Sequence, residues 1–431
     1  MGLTIVQKSD LSRPKPNPKI ALVLAGGAIT GGTFKVGGLK ALNDFLVNRK
    51  VTDFDIYVGA SAGGFLAAAL AGGITPEEML KSLDGSSKLF SQLSPWHIYQ
   101  PNWLEFAERP LRFFTQSLAY LPRLASPLFQ RPPKGASPNL KEILQKRLLE
   151  IPSLWEMIPS GFFDNGPLEK YLRKNMKRNR IPNDFTAMKK KRGKSLYVVT
   201  TNLDTAERVI FGPDEKNDVT ISKAVQASTA VPLLYKPVRI QGVDYTDGAV
   251  RRTTNMDVAI QKKAELIICY NPFRPYSNKL MLQYLKEEGR YVAKNRYLSS
   301  HGLLMILNQV FRTILHTRIR YFIDQIRVDP NFKGDLILIE PHDDDSLFFG
   351  MNPMSFWDRA KAASHGFTSV RNTILSRFGE VSKILAAYGI TMSRDLVDKD
   401  YSQIRKTRND AKIMKVLEKD PARRLRIVKA A

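Results

Sequence analysis

The chain has one cysteine, Cys269, in 431 residues, so no disulfide within it can hold the fold together. Acid is also scarce: 41 Asp and Glu stand against 66 Lys and Arg, a formal net charge of +25. That imbalance suits a polyanionic partner, either nucleic acid or an anionic membrane face. Long apolar runs are missing as well. The longest stretch without a charge, residues 56–76, approaches the ~20 residues of a membrane span. Five glycines and Ser61 interrupt it, and it divides into a strand, a tight turn and a helix. The start of the chain has Val6 where myristoylation wants Ser or Thr, and no apolar stretch follows a basic start. No signal peptide or transmembrane helix is identified, and the expected location is cytoplasmic or at the membrane periphery. With 43% hydrophobic and 25% charged residues, the composition is globular, and the length suffices for a large core.

Residues 1–18 read as a flexible basic leader with Pro14, Pro16 and Pro18. Ile20–Leu24 is continuously apolar, as in a strand buried on both faces. A glycine-rich loop follows, then a helical pattern through Val36, Leu39, Leu42 and Phe45. Asp55–Val58 is the next strand, with a helix from about Ala62 to Ala71. Thr75, Pro76, Glu77 and Glu78 open another helix with a capping threonine, a first-position proline and acids in the first turn. This β-loop-α-β-turn-α order predicts a mainly parallel sheet with helices on its faces. Residues 95–138 are rich in aromatics and prolines, with Arg109, Arg112, Arg123 and Arg131 interleaved. They read equally as a cap with its aromatics packed inward or as a lid facing a membrane. Residues 170–194 hold eleven Lys and Arg against the single acid Asp184. Ser195–Asn202 and Arg208–Gly212 form two strands around a turn; 265–270 and 335–339 form two more. Residues 278–328 read as a long basic helix, and the segment from 376 as a basic helical tail.

Three short motifs carry the chemistry. Gly59-Ala60-Ser61-Ala62-Gly63 fits the G-x-S-x-G elbow, in which a sharp strand-to-helix turn lifts the serine above the sheet edge. Alone it also reads as a glycine turn for close helix–strand packing. The loop Ala25–Gly32 exposes backbone amides able to bind an anion. It fails as a phosphate loop because Gly32 stands where a lysine is required, and as a dinucleotide fingerprint because Ala28 replaces the middle glycine. It remains open as an oxyanion hole. Asp247-Gly248-Ala249 follows a strand, although Asp-Gly is a common turn in itself.

In this order, the set resembles the patatin-like phospholipase family. Gly26-Gly27 and Gly31-Gly32 match its glycine-rich loop, Gly59 to Gly63 its elbow, and Asp247-Gly248-Ala249 its D-G-[GA]. The segments 36–42 and 227–232 agree too. The resemblance covers about 19–270, extending to about 375. It implies a three-layer α/β fold with a mainly parallel central sheet, here with a helical cap insertion and a basic helical C-terminal extension. The implied domain is 19–375, with insertions at 95–138 and 278–328 and a tail at 376–431. It also implies a Ser–Asp dyad: Ser61 as nucleophile, Asp247 as proton acceptor, and the amides of Gly26, Gly27 and Ala28 as the oxyanion hole. The implied substrate is a phospholipid or other lipid ester, with no cofactor and no metal. The loop departs from the family pattern: Ala28 replaces its third glycine, the loop is one residue longer, and no Arg or Lys lies within it.

Two rival mechanisms stay open. A Ser-Asp-His triad would recruit His342, which follows the last predicted strand, and a lipid-binding scaffold with the same fold would be inactive. His342-Asp343-Asp344-Asp345 also reads as a polar loop. No recognised nucleic-acid module accompanies the charge, so the expected partner is an anionic membrane surface. The densest contact expected there is Lys189, Lys190, Lys191, Arg192 and Lys194. The sequence leaves the oligomeric state open.

Overall fold

A computed structural model of the chain describes residues 2–129, 154–280, 282–285, 290–293, 296–407 and 409–420. The apolar runs become strands buried on both faces. The main sheet follows the order β1 (Leu3–Gln7), β13 (Asp335–Ile339), β10 (Leu266–Tyr270), β2 (Ile20–Leu24), β3 (Ile56–Ala60), β5 (Ser195–Asn202), β9 (Val243–Asp247) and β8 (Val238–Ile240), with β6 (Arg208–Phe211) beside β5. The five central strands, β13 to β5, run parallel; β1, β6, β9 and β8 are antiparallel additions at the flanks. Two short strands, β4 (Gly161–Phe163) and β7 (Leu233–Tyr235), pair apart from this sheet.

Helices cover both faces, giving the three-layer α/β architecture. On one face α1 (Ala28–Phe45) and α2 (Ala62–Ala71) pack Phe34, Leu39 and Leu66 against Leu22 and Leu24. On the other, Ile319, Ile323 and Ile326 of the helix Leu303–Val328 cover Val23, Val58 and Leu338. The next helix, α3 (Pro76–Asp84), begins as its sequence predicts, with the Thr75 side chain accepting from the Glu78 amide. The glycine pair after the loop serves close helix contact. A Cβ at Gly37 would lie 1.9 Å from Ala363 O, and one at Gly366 1.9 Å from Phe34 O, so α1 and the helix Arg359–Leu375 touch backbone to backbone.

Several expectations need correction. Residues 3–7, within the expected flexible leader, form edge strand β1, because Leu3 and Val6 find burial against β13. Between 278 and 328 the chain is not one helix: β11 (Leu282–Leu285) and β12 (Arg290–Ala293) form a hairpin before the helix Leu303–Val328. Strands of four residues are too short for periodicity to separate them from helix. In α4 (Trp103–Phe129), Trp103, Phe106 and Phe114 are exposed rather than packed inward. Arg131 and residues 130–138 lie outside the described residues, as do 421–431.

The segment after 376 is built into the core. Its helices Phe378–Ala387, Asp395–Arg405 and Asp410–Leu417 bury Ile384, Val397 and Leu417 in the same cluster as α1. Fully buried Lys40 of α1 pairs with Asp44 and reaches Asp400 at 3.5 Å and Glu77 at 3.8 Å. Removing one partner of a buried ion cluster leaves uncompensated charge, at a cost of ~3–5 kcal/mol. Lys40→Met should therefore lower the unfolding free energy in urea by about that amount at pH 8. Burial pushes the Asp44 carboxyl up to about 7. A carboxyl whose folded pKa is raised favours the folded state as pH falls through that value. Without the cation this rise should be steeper, so the gap between variant and wild type should narrow at pH 5. A loss under about 1 kcal/mol at pH 8 would mean that the cluster does not secure the C-terminal helices.

Candidate active site

Ser61 occupies the single residue between the end of β3 and the start of α2, at φ 56° and ψ −135°. A side chain in this left-handed region costs on the order of 1–3 kcal/mol and persists only where its surroundings enforce it. Here they do. A Cβ at Gly59 would lie 2.4 Å from Gly63 O, and one at Gly63 2.1 Å from Leu24 O. Only glycine at both positions lets α2 start this close to the strands. The Ser61 amide donates to Ser228 Oγ at 2.9 Å, and Ser228 Oγ donates to Val199 O at 2.6 Å. The turn is thus tied to the neighbouring strand. Ser228 lies in the 227–232 segment that the resemblance singles out, but no local pattern discloses that its hydroxyl would hold this amide.

Asp247 ends β9. The register sets Ala60 opposite Val199 and Thr200 opposite Asp247, so Ser61 and Asp247 arrive at the same level of the sheet. Gly248 turns the chain where a Cβ would lie 2.2 Å from Val199 O. Asp247 is 4% exposed. Its Oδ1 accepts from the Ala249 amide at 2.8 Å, and the Ser61 hydroxyl is near enough to favour the ionised carboxyl. Burial dominates and pushes its pKa up to about 6, against the pull of the Ser61 hydroxyl, the Ala249 amide and the Lys35 charge.

The glycine loop is shorter than its composition suggests, because α1 already begins at Ala28 and takes in Thr30, Gly31 and Gly32. Gly32 faces the Ala62 side chain, where a Cβ would meet it at 3.3 Å, so this glycine serves packing between α1 and α2. The loop proper is Gly26, Gly27 and Ala28. Gly27 has φ 150° and Ala28 φ 53°, so two successive residues take left-handed backbone. A Cβ on Gly26 would lie 3.2 Å from Ser61 Cβ and 3.1 Å from the Phe273 ring. The structure therefore brings Gly26, Ser61 and Asp247 together, as expected. It adds Lys35, Phe273 and Pro272, which the sequence reading left without a role.

From Ser61 an apolar cavity of about 130 Å³ runs between α1, α2 and α3. Phe65, Met79, Leu83, Phe90 and Tyr171 are among its lining, and none of the described lining residues is charged. An engineered apolar cavity of ~150 Å³ stays dry and admits benzene, so this space suits hydrocarbon better than water.

His342 does not join this cluster. It is exposed and bonds to Asp344 in its own loop. Asp345 pairs instead with His365, at 2.7 Å. The groups of His342, Asp343 and Asp344 lie within 4.8 Å of one another at the surface, as acidic loops commonly do. Cys269 is buried inside β10.

In this sheet a strained serine stands at the end of the central strand β3 and a buried aspartate at the end of β9, two strands away. Residues 22–260, more than half the chain, match the sequence model of the patatin-like phospholipase family, and the chain belongs to that family. A probable lipid hydrolase, 463L, of Invertebrate iridescent virus 6 is 24% identical over 263 residues, covering 59% of this chain and 70% of the viral one. Among solved structures, VipD from Legionella pneumophila aligns with TM-score 0.37 and 16% identity, over 87% of this chain and 70% of its own. Human GIVD cytosolic phospholipase A2 aligns with TM-score 0.31 and 11% identity, over 86% and 59%.

Proposed function

We propose that this protein hydrolyses acyl esters of phospholipids or related lipids in the manner of a phospholipase A, with Ser61 as nucleophile and Asp247 as base. The carrying observation is the strained Ser61 and the buried Asp247 carboxylate brought to one level of the sheet, with Ser61 lining a cavity that has no charged residue among its described lining. Family membership and the viral relative's description as a probable lipid hydrolase support the reading. Ser61 Oγ attacks the ester carbonyl and its proton passes to Asp247. The oxyanion is met by amides of Gly26, Gly27 and Ala28. As the intermediate collapses, the C–O bond to the alcohol breaks and Asp247 returns the proton to the leaving oxygen. Water then loses a proton to Asp247 and attacks the acyl-enzyme; the C–O bond to Ser61 breaks, Asp247 returns that proton to Ser61 Oγ, and the fatty acid leaves. An ordinary aspartate, with a pKa near 3.9, is too weak a base for efficient proton abstraction at neutral pH. The rise to about 6 narrows that gap while leaving the group mostly ionised at pH 7.

Ser61→Ala and Asp247→Asn should each abolish release of fatty acid and lysolipid from mixed phospholipid vesicles, with circular dichroism unchanged. His342→Ala should keep most activity, since it lies apart from the site. Activity should fall as pH drops through about 6, where Asp247 takes up a proton and ceases to be a base. Near-normal turnover in folded Ser61→Ala or Asp247→Asn would refute the dyad, and loss in His342→Ala as deep as in Ser61→Ala would move the assignment to a triad.

We further propose that the protein meets its substrate at a membrane through the apolar rim of the cavity. Trp96, Leu233 and Trp357 are 72%, 69% and 71% exposed, and each is within two residues of a residue lining the cavity. No helix among the described residues is long and apolar enough to cross a membrane. The basic run 189–194 stands elsewhere. It leads into the start of β5, parallel to β3, whose far end carries Ser61. A five-residue strand at ~3.3 Å per residue separates the two ends by about 16 Å. Changing Trp96, Leu233 and Trp357 to Gln should weaken sedimentation with phosphatidylcholine vesicles by about tenfold or more, since losing ~1.4 kcal/mol of insertion is enough. Hydrolysis of a short soluble ester should survive. Changing Lys189, Lys190, Lys191, Arg192 and Lys194 to Gln should affect only the salt-sensitive part of binding to anionic vesicles. The reverse pattern would assign the contact to the basic run.

A further inference from the structure

The sequence puts no cation inside the glycine loop, yet one lies directly beneath it. Lys35 sits seven residues after Ala28 on the same side of α1 and is wholly buried, an uncommon place for a lysine. Its Nζ donates to Ala25 O and to Gly26 O, the latter at 2.9 Å. A trans peptide is planar, so its C=O and the N–H of the next residue point to opposite sides. Anchoring the carbonyls of Ala25 and Gly26 on Lys35 therefore turns the amides of Gly26 and Gly27 away from it. Among the described residues, no backbone carbonyl takes either amide. The ionisable groups that face Lys35 are Asp247 of β9 and Cys269 of β10.

We propose that Lys35 is a positioning residue of the ester-cleaving centre: it holds the loop carbonyls inward so that the Gly26 and Gly27 amides are left for the oxyanion, and it supplies from the core the positive charge that the loop lacks. The inference rests on the hydrolase reading. In that reaction the proton moves from Ser61 to Asp247 while the carbonyl oxygen becomes anionic, so negative charge leaves Asp247 and appears at the loop. A fixed cation next to both places steadies the charge through the transfer, and a low-dielectric interior strengthens the effect. Burial lowers the proton affinity of Lys35 to about 7, while Asp247 and Cys269 raise it in opposition. The group therefore stays partly charged at neutral pH.

The test compares Lys35→Met and Lys35→Gln with wild type on a short soluble ester across pH 4.5–9, an assay window of about four to five units chosen to bracket the Asp247 transition. Methionine keeps the stem and removes both donor and charge. Glutamine keeps an N–H donor without the charge. Lys35→Met should lose kcat by about 10²-fold, the scale of one oxyanion donor, with KM within about threefold. Lys35→Gln should fall between it and wild type. In both, the acid limb of the kcat profile should move to higher pH, because Asp247 loses its counter-charge; a purely structural lysine would leave that limb in place. A kcat for Lys35→Met within about threefold of wild type overturns the proposal, and so does an unmoved acid limb. Failure of both variants to fold would make Lys35 a structural residue only and overturn it equally. If wild type itself hydrolyses no faster than Ser61→Ala, the hydrolase reading fails and takes this inference with it.

Discussion

The left-handed turn at Ser61 is the constraint from which the neighbourhood follows. A residue held at φ 56° must be kept there by contacts, and these contacts are backbone against backbone. Gly63 brings the first turn of α2 onto the carbonyls of Leu24 and Ala25, which fixes where β2 ends and where its loop leaves the sheet. Gly59 lets the same turn lie over its own strand. With α2 pinned so low, α1 can descend beside it only through Gly32, and the gap left between α1, α2 and α3 becomes the apolar cavity. The Ser61–Ser228–Val199 hydrogen bonds extend the constraint sideways to β5, which in turn sets the height of Asp247 through its pairing with β9.

Electrostatics inside this frame is a contest between burial and pairing. At Asp247 burial prevails over the Ser61 hydroxyl, the Ala249 amide and a nearby cation, and the carboxyl rises to about 6. At Lys35 burial likewise prevails, and the amine falls to about 7. Two groups of opposite sign thus converge on the neutral range from opposite sides. The cluster of Lys40, Asp44, Glu77 and Asp400 shows the same physics put to another use: it joins α1, α3 and a C-terminal helix well away from Ser61.

Legibility in the sequence followed the range of the interaction. The elbow was readable because strand, glycines and helix lie within a few residues, and every contact that strains Ser61 except Ser228 and Leu24 is local. The parallel sheet was readable because its strands are buried on both faces and appear as unbroken apolar runs. Asp247 was different. Asp-Gly is a common turn, and only the ordered resemblance picked it out; its arrival at the level of Ser61 depends on a register spanning two strands. Strand β1 was hidden by the prolines and lysines that follow it, and the C-terminal helices by a basic composition that conceals Val397 and Leu417 as core residues. Lys35 was the least legible. It falls at a helix position where a lysine ordinarily meets solvent, and its value lies in two carbonyls that no residue code records.

The net charge of +25 says less about the site than its size suggests. Charge acts over a screening length of ~8 Å at physiological ionic strength, so its effect depends on where it stands. The densest run precedes β5, at the end of the sheet away from Ser61, while exposed Trp96, Leu233 and Trp357 each stand within two residues of the cavity lining and, on the proposed reading, edge its mouth. An acyl chain entering that mouth must leave its neighbours without crossing much water, which an apolar edge permits and a ring of hydrated lysines would hinder. On the proposed reading the two features divide the work: distributed positive charge draws the protein toward an anionic surface from a distance, and the apolar edge determines which end of the sheet faces that surface. Orientation then depends on the same strand direction that brought Ser61 to the sheet's edge.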